Sequence, residues 1–160
     1  MRIYCLDSNA LIEPWNKYYT VERCPEYWDI IDQLAQQGTV FCALEVKHEI
    51  EKSDDGLKKW IHDKPYLFRE ETPEVNANIR LVLAKFPELI DSSKNRSMAD
   101  PWVIAHAMSD KAIVVTKELP NGSASKKIKI PDVCNAFGVE WMNDFDFVDE
   151  IGIKFSASLI

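Results

Sequence analysis

The chain has no run approaching the ~18 apolar residues that a membrane-spanning helix needs, and its opening MRIYCLDSN lacks the layout of a cleaved signal. A soluble, cytoplasmic protein is therefore the expectation. No two cysteines form a CxxC pair. Cys5, Cys24, Cys42 and Cys134 lie far apart, which removes the usual zinc spacing and any disulfide framework and leaves buried, reduced thiols. Positive charge is short as well: 19 Lys and Arg against 26 Asp and Glu give 19 − 26 = −7. That balance argues against a protein that wraps nucleic acid through its global charge, although a local basic rim is compatible with it. Internal repeats and low-complexity segments are also missing.

What is present suits one domain. With 160 residues, 46% of them hydrophobic, the chain can bury a core; we expect a single domain over residues 1–150 and an apolar tail, IGIKFSASLI, over 151–160. Short apolar runs at 2–6, 39–42 and 112–115 read as buried strands, with a weaker fourth at 139–141. Helical patterning marks 25–37, 44–52, 57–61, 75–86, 101–108 and 131–137, some of these opened by proline or followed by glycine. Strands alternating with helices predict an α/β fold with a mostly parallel sheet covered on both faces. One long loop is expected, LPNGSASKK at 119–127.

In such a fold the functional crevice lies outside the carboxyl ends of the strands. The first strand leaves through Asp7, Ser8 and Asn9, and the second runs into a helix carrying Glu45 and Glu49 on one face. The third leaves through Thr116, Lys117 and Glu118, and Asp100 opens the helix ADPW. Each has an ordinary alternative: Asp7 and Asp100 suit helix caps, the two glutamates a solvated face, Thr116 and Glu118 a turn. What suggests a site is that four acids arrive together at strand ends. Two unit charges ~4 Å apart repel by roughly 4 kcal/mol at an effective dielectric of about 20, so such a cluster calls for a divalent cation. Carboxylates without cysteine or clustered histidine point to magnesium or manganese, and phosphoryl transfer suits those ions.

The ordered set of a hydrophobic strand before Asp7-Ser8-Asn9-x-Leu11-Ile12, then Val46-x-x-Glu49-Ile50, then Ala99-Asp100-Pro101-x-Val103-Ile104-Ala105-x-Ala107, then Val114-Val115-Thr116-x-Glu118 resembles the PIN-domain family of metal-dependent ribonucleases. The similarity runs from residue 3 to about 141, and is greatest to a small bacterial and archaeal branch in which KIPDVC, here 129–134, recurs. The resemblance implies a three-layer α/β/α PIN-like domain and one or two Mg2+ or Mn2+ ions held by Asp7, Glu49, Asp100 and Glu118. Glu118 departs from the aspartate usual at the fourth position and reaches one methylene further. Thr116 matches a hydroxyl that positions water or phosphate, and Asn9 a small polar residue that holds Asp7 in its rotamer. Helical periodicity does not separate Glu45 from Glu49, since both flank the stripe of Val46 and Ile50; the family pattern selects Glu49 and keeps Glu45 in reserve. The implied activity is hydrolysis of RNA phosphodiester bonds by a metal-dependent endoribonuclease. Small proteins of this kind are often the toxin of a type II toxin–antitoxin pair, which implies an antitoxin partner and a homodimer.

Lys94, Arg96, Lys117, Lys126, Lys127 and Lys129 are the candidate contacts to RNA phosphates. His106 reads as a packed core histidine, and His48 and His62 as surface residues. Trp15, Tyr18, Tyr19 and the tail offer more apolar surface than a monomer needs, so one of them is expected in a protein interface. A phosphoaspartate receiver lacks its paired acids here, and a haloacid-dehalogenase phosphatase would need Asp where Asn9 stands. From another class, a non-catalytic PIN-like protein- or RNA-binding module remains open.

Overall fold

The computed structural model describes residues 1–53, 55–89, 98–121 and 128–160. Its strands are β1 (Tyr4–Leu6), β2 (Val40–Ala43), β3 (Phe68–Arg69), β4 (Ile113–Val115) and β5 (Trp141–Met142), in the order β3-β2-β1-β4-β5. Every neighbouring pair is parallel, with Tyr4 opposite both Val40 and Ile113. Strands buried on both faces read as unbroken apolar runs, and all residues of β1, β2 and β4 are buried. β3 was not anticipated, because two residues carry no period. The weak strand expected at 139–141 forms at Trp141–Met142 instead. Gly138 takes a left-handed φ of 68° to end the preceding helix, and the Val139 N–H bonds back to Cys134 O at 2.9 Å.

The helices are α1 (Asn9–Glu13), which continues into a π turn at Pro14–Tyr18, then α2 (Pro25–Gln36), α3 (Leu44–Ser53), α4 (Asp55–Ile61), α5 (Pro73–Lys85), α6 (Asp100–Asp110), α7 (Ile130–Phe137) and α8 (Asp144–Ile151). α8 escaped the sequence reading because DFDFVDEI is half acidic; it is anchored by buried Phe147 and Val148 and ends at Gly152 with φ 89°. α6 packs on α5 and lies against β1, β2 and β4, while α2 packs on β2. The result is a three-layer α/β/α domain with a fully parallel sheet.

With β2 and β3 on one side of β1 and β4 and β5 on the other, the winding reverses between β1 and β4, where open sheets form a ligand crevice. Main-chain pairing runs one residue past the strands there: Asp7 N–H donates to Val115 O at 2.9 Å and Thr116 N–H to Met142 O at 3.0 Å.

Trp15 and Tyr19 are half-buried against the core, Trp15 edge-on to Trp28 with centroids 4.9 Å apart. Both rings thus pack partly against the core and keep part of their surface exposed. After Gly152 the chain continues without helix or strand, and the Phe155 ring stacks on Tyr19 at 4.7 Å, while Leu159 and Ile160 stand exposed. Among the described residues no helix is long and apolar enough to cross a membrane. The cysteines are free, Cys5, Cys42 and Cys134 buried and Cys24 partly so. Lys94, Arg96, Lys126 and Lys127, and residues 122–127 of the expected loop, lie outside the described residues.

Candidate functional site

Asp7 follows β1 directly and is 2% exposed. Its Oδ1 accepts the Ser8 N–H at 2.8 Å, and its Oδ2 accepts the Thr116 hydroxyl at 3.1 Å. Burial first, then the negative charges of Glu118 and Glu49, pushes this carboxyl up to about 7. Asp7 is not the cap of α1: Ser8 occupies the cap position, and its side chain makes no cap bond. The Ser8 hydroxyl turns outward to donate to Glu49 Oε2 at 2.7 Å.

Glu49 comes from α3, and its other oxygen accepts the Ala99 N–H at 3.2 Å, immediately before Asp100. Asp100 is buried at the first position of α6, where Ala99 rather than Asp100 is the cap residue. Glu45 lies elsewhere on α3: burial first and then Glu71 raise its pKa, and one of its oxygens is buried without a partner. Asp7 senses Glu49 and not Glu45 among its main perturbers.

The third exit is built around Thr116, which is fully buried. Its Oγ1 accepts the Glu118 N–H at 3.2 Å while its hydroxyl donates to Asp7. Glu118 Oε2 accepts the Ile130 N–H at the start of α7, at 2.8 Å. Asn9 does not hold Asp7, as the sequence had suggested; its Oδ1 accepts the Lys117 N–H at 3.0 Å, and Ser8 and Thr116 fix Asp7. Cys134, beneath the crevice on α7, is pushed up to about 12 by burial and then by Asp7 and Glu118, so it stays a thiol.

The expected phosphate contact Lys117 is otherwise engaged. Its ammonium pairs with Asp144 at 3.3 Å and donates to Tyr18 Oη at 3.1 Å, and Tyr18 donates to the other oxygen of Asp144. Asp144 is 1% exposed, and burial raises its pKa. Asp144 was not singled out from the sequence, and Ser8 was named there only as part of the first strand exit. The signal for Asp144 was its place two residues after a strand, in a strand too short to be recognised firmly. Lys129, partly exposed, donates its N–H to Asp132 at 3.1 Å. His106 is 1% exposed, its pKa lowered by burial and its Nε2 without a hydrogen-bond partner, whereas His48 and His62 are exposed.

Asp7, Glu49 and Glu118 come from three strand exits, and among the described residues no ion pair neutralises them. By donor chemistry this all-oxygen set suits a hard divalent cation, which would reverse the repulsion felt at Asp7. The side chains do not form a closed cage: among the described residues no three Asp, Glu, His or Cys side chains are grouped to hold a metal. Glu49 and Glu118 each spend one oxygen on a main-chain N–H. Three surface clefts lie elsewhere and include none of these acids.

Among solved structures, the chain is similar to VapBC2 from Rickettsia felis, crystallised bound to a DNA fragment from their promoter. The match has a TM-score of 0.52 and 15% identity over 88% of this chain and 98% of that one. At that identity the likeness concerns the fold, a PIN-like α/β/α domain. No curated protein matches the chain. The model of the family described as a domain of unknown function (DUF4411) matches residues 4–155, from the first strand through the last helix and into the tail, and the chain belongs to that family.

Proposed function

We propose that the protein is a Mg2+- or Mn2+-dependent endoribonuclease that hydrolyses RNA phosphodiester bonds, and that it is the toxin of a type II toxin–antitoxin pair. The observation that carries this is Asp7 at the switch point of the sheet, whose carboxyl is raised to about 7 by burial first and then by Glu118 and Glu49. Asp7, Glu49, Asp100 and Glu118 would hold the metal. When bound, the ion supplies positive charge that offsets the phosphate and the departing oxygen. Thr116 keeps Asp7 oriented through its hydroxyl and Glu118 through its oxygen, and Asn9 holds the main chain between them. The VapBC2 structure is an assembly with DNA; together with the family resemblance it supports an antitoxin partner for this chain, which we propose along with a homodimer.

A second reading has its own support. Glu49 and Glu118 are already satisfied by main-chain donors, which suits a PIN-like protein- or RNA-binding module that uses no metal. One experiment separates the two: wild type, Asp7→Asn and Asp100→Asn are compared for growth arrest and for Mg2+- or Mn2+-dependent cleavage of a pool of structured RNAs. The nuclease reading expects arrest and cleavage from wild type alone. Equal behaviour of all three proteins favours the binding module.

A further inference from the structure

We propose that Asp144, at the exit of β5, is a positioning residue for the acidic crevice, holding residues 116–118 in register with Asp7 and Asn9 through the Lys117 ammonium. This rests on the reading of the crevice as an RNA-cleaving site. Lys117 is anchored from two directions. Its side chain reaches away from the acids into a closed ring of three groups: Lys117 Nζ donates to Asp144 Oδ1 at 3.3 Å and to Tyr18 Oη at 3.1 Å, and Tyr18 donates to Asp144 Oδ2. Its main-chain N–H donates to Asn9 Oδ1 at 3.0 Å.

The residues on either side are the two site residues of this exit. Thr116 donates to Asp7 Oδ2 at 3.1 Å, and Glu118 donates to Thr116 Oγ1 and accepts from Ile130. Asn143 is the side-chain cap of α8, accepting the Asp146 N–H, and the Asp144 carboxylate, held also by the main-chain N–H groups of residues 144 and 145, turns to Lys117 and Tyr18. A buried carboxylate is tolerated when an ion pair and hydrogen bonds satisfy it, and both of its oxygens are so used. The rings of Phe145 and Tyr18, with centroids 4.9 Å and 5.1 Å from the ammonium, further confine Lys117. β4 ends at Val115 and its pairing continues through the Thr116 N–H to Met142 O, so residues 117 and 118 follow the end of the ladder. Misplacement of catalytic groups by about 1 Å is enough to cost ~100-fold in rate.

The test uses Asp144→Ala, Asp144→Asn and Tyr18→Phe beside wild type. The control is Asp110→Ala, which breaks the Arg69–Asp110 pair (2.8 Å) at the far end of α6. Amide hydrogen exchange at Lys117 and Glu118, calorimetric titration with Mn2+ alone, and kcat and KM on the RNA pool are measured at matched fraction folded. In Asp144→Ala we expect exchange at those two amides to quicken by about tenfold, Mn2+ binding to weaken by a similar factor, and kcat to fall with KM nearly unchanged. Asp144→Asn, which keeps the shape and loses the charge, should fall between, and Asp110→Ala should match wild type. If Asp144→Ala does not fold, Asp144→Asn and Tyr18→Phe carry the exchange measurement. Unaltered exchange in the Asp144 variants, or equal acceleration in Asp110→Ala, overturns the proposal. A wild type that neither binds Mn2+ nor cuts RNA defeats the nuclease reading, and the exchange result then decides the positioning role.

Discussion

A carboxylate as enclosed as Asp7 destabilises the fold whenever it is charged and no cation is near. Its pKa is raised from 3.8 to about 7 by burial and then by Glu118 and Glu49. Across that window the native state keeps a proton that the unfolded chain has released, so the stability of the metal-free protein falls as pH rises. Asp7→Asn removes the charge. In chelator, melting curves from about pH 4 to pH 8 should show the variant gaining on wild type, by at most ~1.4 kcal/mol per pH unit. A difference independent of pH contradicts this origin. Ser8 ties two acids together, its N–H on Asp7 and its hydroxyl on Glu49. Ser8→Ala should therefore cost about 1 kcal/mol in urea melts and free one oxygen of Glu49. Asp7 and Asp100 were legible because one follows an apolar run and the other opens a helix, whereas Glu49, inside α3, was selected by the family pattern. Their partnerships were not, since Ser8 reaches Glu49, and Tyr18 and Lys117 reach Asp144, across long separations in sequence.

At the scale of elements, helices differ in what starts them. α8 has a side-chain cap in Asn143, and Asn143→Ala should cost about 1 kcal/mol of stability, read from denaturant midpoints. α6 has none; it is held by packing, with Val103, Ile104, Ala105 and His106 all buried. Burial lowers the His106 pKa from 6.5, with Asp110 opposing this and Arg69 adding to it. Below about pH 6.5 the unfolded chain takes up a proton that the native state resists, so stability falls with acid. His106→Leu should lose that dependence, and wild type should fall behind the variant between about pH 7 and pH 5 when both are followed by thermal melting. The long helices were readable because their burial recurs with the helical period, and the three central strands because theirs is continuous. β3 was not, being an edge strand of two residues that exists through its pairing with Cys42 and Ala43.

Over the whole molecule, the tail closes on the aromatic cluster formed by Tyr19, Tyr27 and Phe155. Truncation after Gly152 removes the Phe155 ring from Tyr19 and should cost about 1 kcal/mol, whereas removal of residues 158–160, where Leu159 and Ile160 are exposed, should leave the melting temperature unchanged. Equal effects of both truncations would mean that the stacking contributes nothing. The proposed homodimer is checked by light scattering of concentrated protein, where a monomer counts against it.

The alternation of apolar runs with helical periods was sufficient by itself to determine a parallel α/β domain and to put Asp7, Asp100 and Thr116 at the ends of elements, because both features follow from local geometry and burial. Which acids face one another was decided only by the tertiary structure. Strand order set the switch point between β1 and β4, brought α3 with Glu49 up to Asp7, and placed Lys117 beside Asp144. Charge repulsion and ion pairing depend on distance through space, and residues 7, 49 and 118, like the pair 117 and 144, become neighbours only when the sheet assembles.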